Sequence, residues 1–126
     1  MRESYLVSDI IRGLYGCVKL WRVNVGTVKT ADGRRFSTGL PKGFPDLFGI
    51  LPHKLSKTGC PIPVFIECKV GDNKPSAEQA DFIERHRAMG CAAGVARSVS
   101  DAWDIIIPFL KDHPGRTDNE DDVDTF

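Results

Sequence analysis

Residues 63–70 read Pro-Val-Phe-Ile-Glu-Cys-Lys-Val, an apolar, β-branched and aromatic run with a carboxylate and an ammonium set two residues apart. That composition predicts a strand. Side chains two apart on a strand share a face, so Val64, Ile66, Cys68 and Val70 point one way and Phe65, Glu67 and Lys69 the other. One face is expected to build core and the other to present the two charges. Upstream, Asp46–Leu51 (DLFGIL) reads as a second strand. The Pro-, Gly- and Lys-containing connection 52–62 lets the two pair as an antiparallel hairpin without a crossover. Pairing centred on that connection sets position 46 opposite about 69 and position 48 opposite about 67, which brings Asp46 beside Glu67 and Lys69.

Two converging carboxylates with spare coordination positions suit a hard cation such as Mg²⁺, which takes oxygen ligands and keeps several waters. At a phosphodiester such an ion polarises a phosphoryl oxygen and activates water, and a neighbouring ammonium steadies the crowded transition state. Asp46, Glu67 and Lys69 are therefore candidate catalytic residues, with Mg²⁺ or Mn²⁺ as the expected cofactor. The competing reading is an ordinary surface ion-pair group on a hairpin.

Around this hairpin the remaining elements fall into an αβββαβ order with a closing helix, an α/β fold with a mixed sheet flanked by helices. Leu6, Val7, Ile10 and Leu14 recur at helical spacing and predict an amphipathic helix over 2–15. VKLWRVNV (18–25) alternates as a strand. Residues 27–43 contain Gly33, Gly39, Pro41 and Gly43 with Lys29, Arg34, Arg35 and Lys42, and Asp32-Gly33 marks a tight turn, so a basic, mobile flap is expected. Ser76 with Gln79 three residues on forms a capping box that opens a helix over 76–89, stopped by Gly90. Cys91–Arg97 is a short buried strand. Val99–Leu110 is the closing helix, with Val99, Ala102, Trp103 and Ile106 as its stripe and Pro108 kinking or ending it.

At 126 residues the chain has the length of one domain. Its net charge is zero, yet six of the 17 acids follow Lys111, so residues 1–111 carry 16 Lys/Arg against 11 Asp/Glu, a net of +5. The expected division is a domain over 1–111 and an acidic, disordered tail over 112–126. A basic body suits a phosphate backbone, although a merely solvated surface fits the count equally. The four cysteines include no CxxC pair, which argues against a zinc ribbon and a secreted disulfide framework and for reduced thiols in an intracellular, cytoplasmic protein. No apolar run approaches the ~20 residues of a bilayer span, and the start lacks a leader-like apolar region, so no membrane association is expected.

Gly43-Phe44-Pro45-Asp46, Ile66-Glu67-Cys68-Lys69 and Ser76-Ala77-Glu78-Gln79, in that order and spacing, resemble the signature of the VRR-NUC family of PD-(D/E)xK nucleases. The likeness runs from Glu3 to about Ile107, nearly the whole chain before its acidic end. It implies a restriction-endonuclease-like core and a metal-dependent DNA endonuclease with Asp46, Glu67, Lys69, Gln79 and Glu3 in the catalytic site. Metal would be held by Asp46, Glu67, the Cys68 backbone carbonyl and Glu3, the last directly or through water. Small members of the family resemble homodimers acting on branched DNA such as four-way junctions, which makes branched duplex DNA and a second copy the expected partners.

Individual residues keep simpler alternatives. Glu3 can serve the helix macrodipole in the first turn. Gln79 can act only as the partner of Ser76, because capping backwards and reaching the sheet look incompatible for one side chain. Lys29, Arg34, Arg35 and Lys42 can contact a DNA backbone or simply solubilise the flap, and the absence of an aromatic stacking pattern beside them favours duplex over single strands. His53, His86 and His113 have no acid or nucleophile spaced to meet them and are read as structural or surface residues. Cys68 is read as core, without thiol chemistry. Two further functional classes stay open: a non-catalytic DNA-binding module on the same fold, and a metal-dependent phosphoesterase acting on small nucleotides.

Overall fold

The structure, a computed structural model, describes residues 2–25 and 27–112. In chain order these form α1 (Glu3–Leu14), β1 (Lys19–Arg22), β2 (Thr27–Lys29), β3 (Arg35–Ser37), β4 (Leu47–Leu51), β5 (Ile62–Cys68), α2 (Ala77–Ala88), β6 (Ala92–Ala96) and α3 (Val99–Ile106), followed by a 3₁₀ turn at Ile107–Phe109. The main sheet has the order β1-β4-β5-β6. Its first three strands are antiparallel, and β6 runs parallel to β5. A parallel neighbour needs a crossover, which α2 supplies. The fold is thus mixed α/β with a four-stranded mixed sheet flanked by helices.

One face of the sheet carries the larger core. Leu6, Val7, Ile10 and Leu14 of α1 and Ala102 and Ile106 of α3 pack with Leu20, Val64, Ile66 and Cys68. The helical stripe read from the sequence is the buried face of α1. On α3 the shorter stripe of Ala102 and Ile106 is buried, with Val99 and Trp103 partly so. This helix stops at Ile106, short of the expected Leu110. Pro108 offers no N–H and its ring would meet the carbonyl four residues back, so the chain tightens into the 3₁₀ turn.

The opposite face differs from expectation. α2 covers its β5–β6 half, where Phe65, Ile83 and Ala93 form a second core edged by Phe44, Phe48, Phe82, Cys91 and Val95. Phe65 and Glu67 are consequently buried, and Lys69 lies one residue past the end of β5, its N–H donating to the Ala96 carbonyl. The β4–β5 register also differs, with Leu47 opposite Ile66 and Phe48 opposite Phe65. Asp46 therefore comes against Glu67, two places from the expected partner. The shift arises because β5 begins at Ile62, whose side chain pairs with Leu51 and is buried. A two-residue shift leaves every side chain on its face.

β1 is shorter than the expected 18–25. Beyond Arg22 the Val23 N–H still donates to the Asp46 carbonyl, at 2.8 Å. Extending the register brings Asn24 against Pro45, which has no N–H for the ladder. The basic flap is a separate hairpin of β2 and β3. Its loop turns through Thr30–Gly33, with Gly33 at φ 87° and the Asp32 carboxylate accepting from Thr30 and Arg34. All four cysteines are free thiols. Among the described residues no helix is long and apolar enough to cross a membrane. The acidic tail expected over 112–126 lies, from residue 113 on, outside the described residues.

Candidate metal centre

Asp46 is delivered by a turn that few sequences could make. The Phe44 N–H bonds to the Pro41 carbonyl, and Gly43 occupies the turn at φ 95°, where an added Cβ would stand 2.6 Å from the Glu78 carbonyl of α2. Both the left-handed backbone and the close approach require glycine. The Phe44 ring then wedges against Phe65 at 5.7 Å and Phe82 at 5.0 Å between centroids. That anchor fixes Pro45-Asp46 at the mouth of β4.

Half-buried Asp46 accepts a hydrogen bond through Oδ2 from the Cys68 N–H, 2.9 Å away. Glu67 is 1% exposed. Its Oε2 accepts from Gln79 Nε2 at 3.0 Å and pairs with Lys69 Nζ at 3.1 Å. Its Oε1 is buried with no protein partner. Such an atom forfeits its hydration with nothing in return, a cost of about 1–3 kcal/mol and more when charged. Glu3, Asp46 and Glu67 each offer a carboxylate oxygen within 4.8 Å of the other two. Burial, and then the charge of Asp46, push the Glu67 carboxyl up to about 7, against the pull of Lys69.

An oxygen-only donor set with one buried, unpartnered carboxylate oxygen fits a hard divalent cation such as Mg²⁺ or Mn²⁺. The Cys68 thiol has no such part. It faces the larger core, and burial followed by the charges of Asp46, Glu67 and Glu3 raises it to about 12.

The structure brings together Glu3, Asp46, Glu67, Lys69 and Gln79 from the sequence-derived set. Glu3 is exposed at the first turn of α1, not buried along its stripe, and only its carboxylate reaches the cluster. Gln79 overturns the expected choice between two roles. Its Oε1 accepts from the Ser76 N–H at 2.8 Å while its Nε2 holds Glu67, so one amide uses its acceptor to cap and its donor to reach the sheet. Sequence reasoning missed the Cys68 N–H as the group that holds Asp46, and Phe44 as the anchor. The two-place register error hid the first, and the apolar residue directly before Pro45-Asp46 was the available signal for the second.

The basic set is less unified. Lys42 lies beside the first turn of α2, 4.0 Å from Glu78, and Arg34 pairs with Asp32 at 3.5 Å. Lys29 and Arg35 are exposed and directly opposite each other on the hairpin. Like charges so placed repel, and an anion would relieve them. His86 is stacked on Phe82 with centroids 3.7 Å apart, and its Nδ1 meets the Phe82 carbonyl. His53 is exposed, and His113 lies outside the described residues. The chain matches no family model, no curated protein and no solved structure.

Proposed function

We propose that this chain is a Mg²⁺- or Mn²⁺-dependent DNA endonuclease of the PD-(D/E)xK type, akin to the VRR-NUC nucleases, which hydrolyses phosphodiesters in branched DNA such as four-way junctions and acts as a homodimer. The observation that carries the reading is the unpartnered, buried Oε1 of Glu67 beside the carboxylates of Asp46 and Glu3. A buried acid held in that state is rare unless a cation or catalytic role answers it.

Asp46 and Glu67 would hold the ion, with the Cys68 carbonyl and, directly or through water, Glu3. When bound, it supplies a Lewis acid for the phosphoryl oxygens and lowers the pKa of water. The protein's own groups supply position and charge. Gln79 and Lys69 both engage Oε2, which leaves Oε1 for the ion. Lys69 is only 17% exposed, so its ammonium acts from a poorly hydrated position where it can orient the attacking water and offset charge on the phosphorane. Lys29, Arg34, Arg35 and Lys42 would meet the DNA backbone.

The test is incubation with labelled linear, flap and four-way-junction DNA in Mg²⁺, Mn²⁺ or EDTA, with Lys69→Ala and Asp46→Asn alongside. Metal-dependent cutting lost in both variants is the expected result. Binding without cutting would instead identify a DNA-binding module, and hydrolysis confined to mononucleotides a small-nucleotide phosphoesterase. Light scattering reads the dimer.

A further inference from the structure

The same sheet face that holds Asp46 and Glu67 continues beyond the reach of α2. Trp21, Phe48, Phe65 and Ala93 stand opposite one another across all four strands. Directly opposed residues share a face, and positions two along a strand share it too. Asp46 and Glu67 thus lie one step from this row on the same side. α2 packs on Phe65 and Ala93, whereas the β1–β4 end is open, with Trp21 57% and Ile50 44% exposed.

Trp21 has company of one chemical kind. Lys19, the next residue of β1 on that face, places Nζ 4.5 Å from the centroid of the Trp21 ring. The ammonium sits over one side of an electron-rich ring that is still more than half exposed. β1 reads Lys-Leu-Trp-Arg, with Lys19 on the Trp21 face and Arg22 alternating to the Leu20 side. A self-association surface would favour a core depleted of charge. A flat aromatic ring with a cation beside it is instead the equipment that binds a base and its phosphate together.

We propose that Trp21 and Lys19 form a stacking platform for an unpaired base of a single-stranded DNA segment whose phosphate lies at the metal centre. This rests on the metal-dependent DNA reading above. From strand geometry, Trp21 and Asp46 are roughly 8 Å apart, combining two residue rises and one strand spacing. That is the span of about one or two nucleotides of an extended single strand, whose repeat exceeds the ~3.4 Å of stacked duplex. The platform therefore engages the strand being cut, close to the scissile phosphate, and selects substrates in which bases there are unpaired. Flaps and overhangs offer such bases directly, a four-way junction offers them only where pairs at its branch point open, and an intact duplex does not. The duplex expectation, drawn from the lack of aromatics in the flap, concerns the flap alone, and the platform on β1 adds a single-strand contact to it.

The test measures fluorescence anisotropy with a labelled oligothymidylate and a blunt duplex, in EDTA and in Ca²⁺, for wild type, Trp21→Ala, Trp21→Phe and Lys19→Ala. Trp21→Ala is expected to weaken oligothymidylate binding about tenfold, the size of one base–aromatic stack, while changing duplex binding less than twofold. Trp21→Phe should restore most of the affinity, and Lys19→Ala should flatten the salt dependence. Equal losses on both ligands, no loss on either, or conversion of a dimer to a monomer by Trp21→Ala would overturn the platform. Calorimetric Mn²⁺ binding separates the two readings. Mn²⁺ bound by wild type and Trp21→Ala alike, with oligothymidylate affinity unchanged, sinks the platform alone. Failure of wild type to bind Mn²⁺, with the tenfold loss intact, sinks the metal reading and the metal-bound phosphate but keeps the base stack on Trp21.

Discussion

Replacing Glu67 by glutamine should make the metal-free protein more stable at pH 8 and leave it nearly unchanged at pH 5. The carboxyl is 1% exposed, one of its oxygens has no partner, and folding raises it from an ordinary 4.5 to about 7. The native state therefore holds this proton more tightly than the unfolded chain. Its contribution to stability is greatest below pH 4.5, declines as pH rises toward 7, and is level above that. At ~1.36 kcal/mol per unit, the decline amounts to about 3 kcal/mol. Glutamine keeps an oxygen for Gln79 and Lys69 and carries no charge, so Glu67→Gln removes the decline. Urea denaturation in EDTA at pH 5 and pH 8 reads it directly: with a slope near ~1.5 kcal/mol/M, the variant's midpoint should exceed wild type by about 2 M at pH 8 and by little at pH 5. Equal midpoints at pH 8, or wild-type stability that is flat between the two pH values, would refute the claim that this carboxylate is held charged at a cost.

Saturating Mn²⁺ should raise the wild-type unfolding free energy at pH 8 by about 2.7 kcal/mol at a hundredfold excess over Kd, and should do nothing for Asp46→Asn; calorimetry or a melting series checks both. Gln79→Glu should preserve the cap on Ser76 but set a carboxylate 3.0 Å from Glu67 in place of a donor. Helix content by circular dichroism should then hold while Mn²⁺ affinity changes, whereas Gln79→Ala should lose both and cost about 1–2 kcal/mol. Gly43→Ala should destabilise by about 2 kcal/mol or more, because it strains the turn and meets the Glu78 carbonyl; an unchanged melting temperature would contradict the close approach.

Much of the fold is legible in the sequence. The stripe Leu6-Val7-Ile10-Leu14 has one periodic explanation, and the Ser76–Gln79 box carries its own geometry. Both features are local, and local rules govern them. The alternation of Val64, Ile66 and Cys68 likewise assigned the main core face of β5. The register of β4 against β5 was not legible, because it depends on how Ile62 and Leu51 meet across a ten-residue connection. Neither was the end of α3, where Pro108 allowed either a kink or a stop.

The sequence alone determined which residues bear charge at strand spacing, and so nominated Asp46, Glu67 and Lys69, with Gln79 and Glu3 brought in by resemblance. Tertiary structure decided that Glu67 is buried with an unanswered oxygen, that a single amide from Gln79 serves both helix and sheet, and that Trp21 is left open on the same face. Those are consequences of where α2 comes to rest on the sheet. Burial and pairing between distant segments depend on the sum of all packing contacts, which no local pattern encodes.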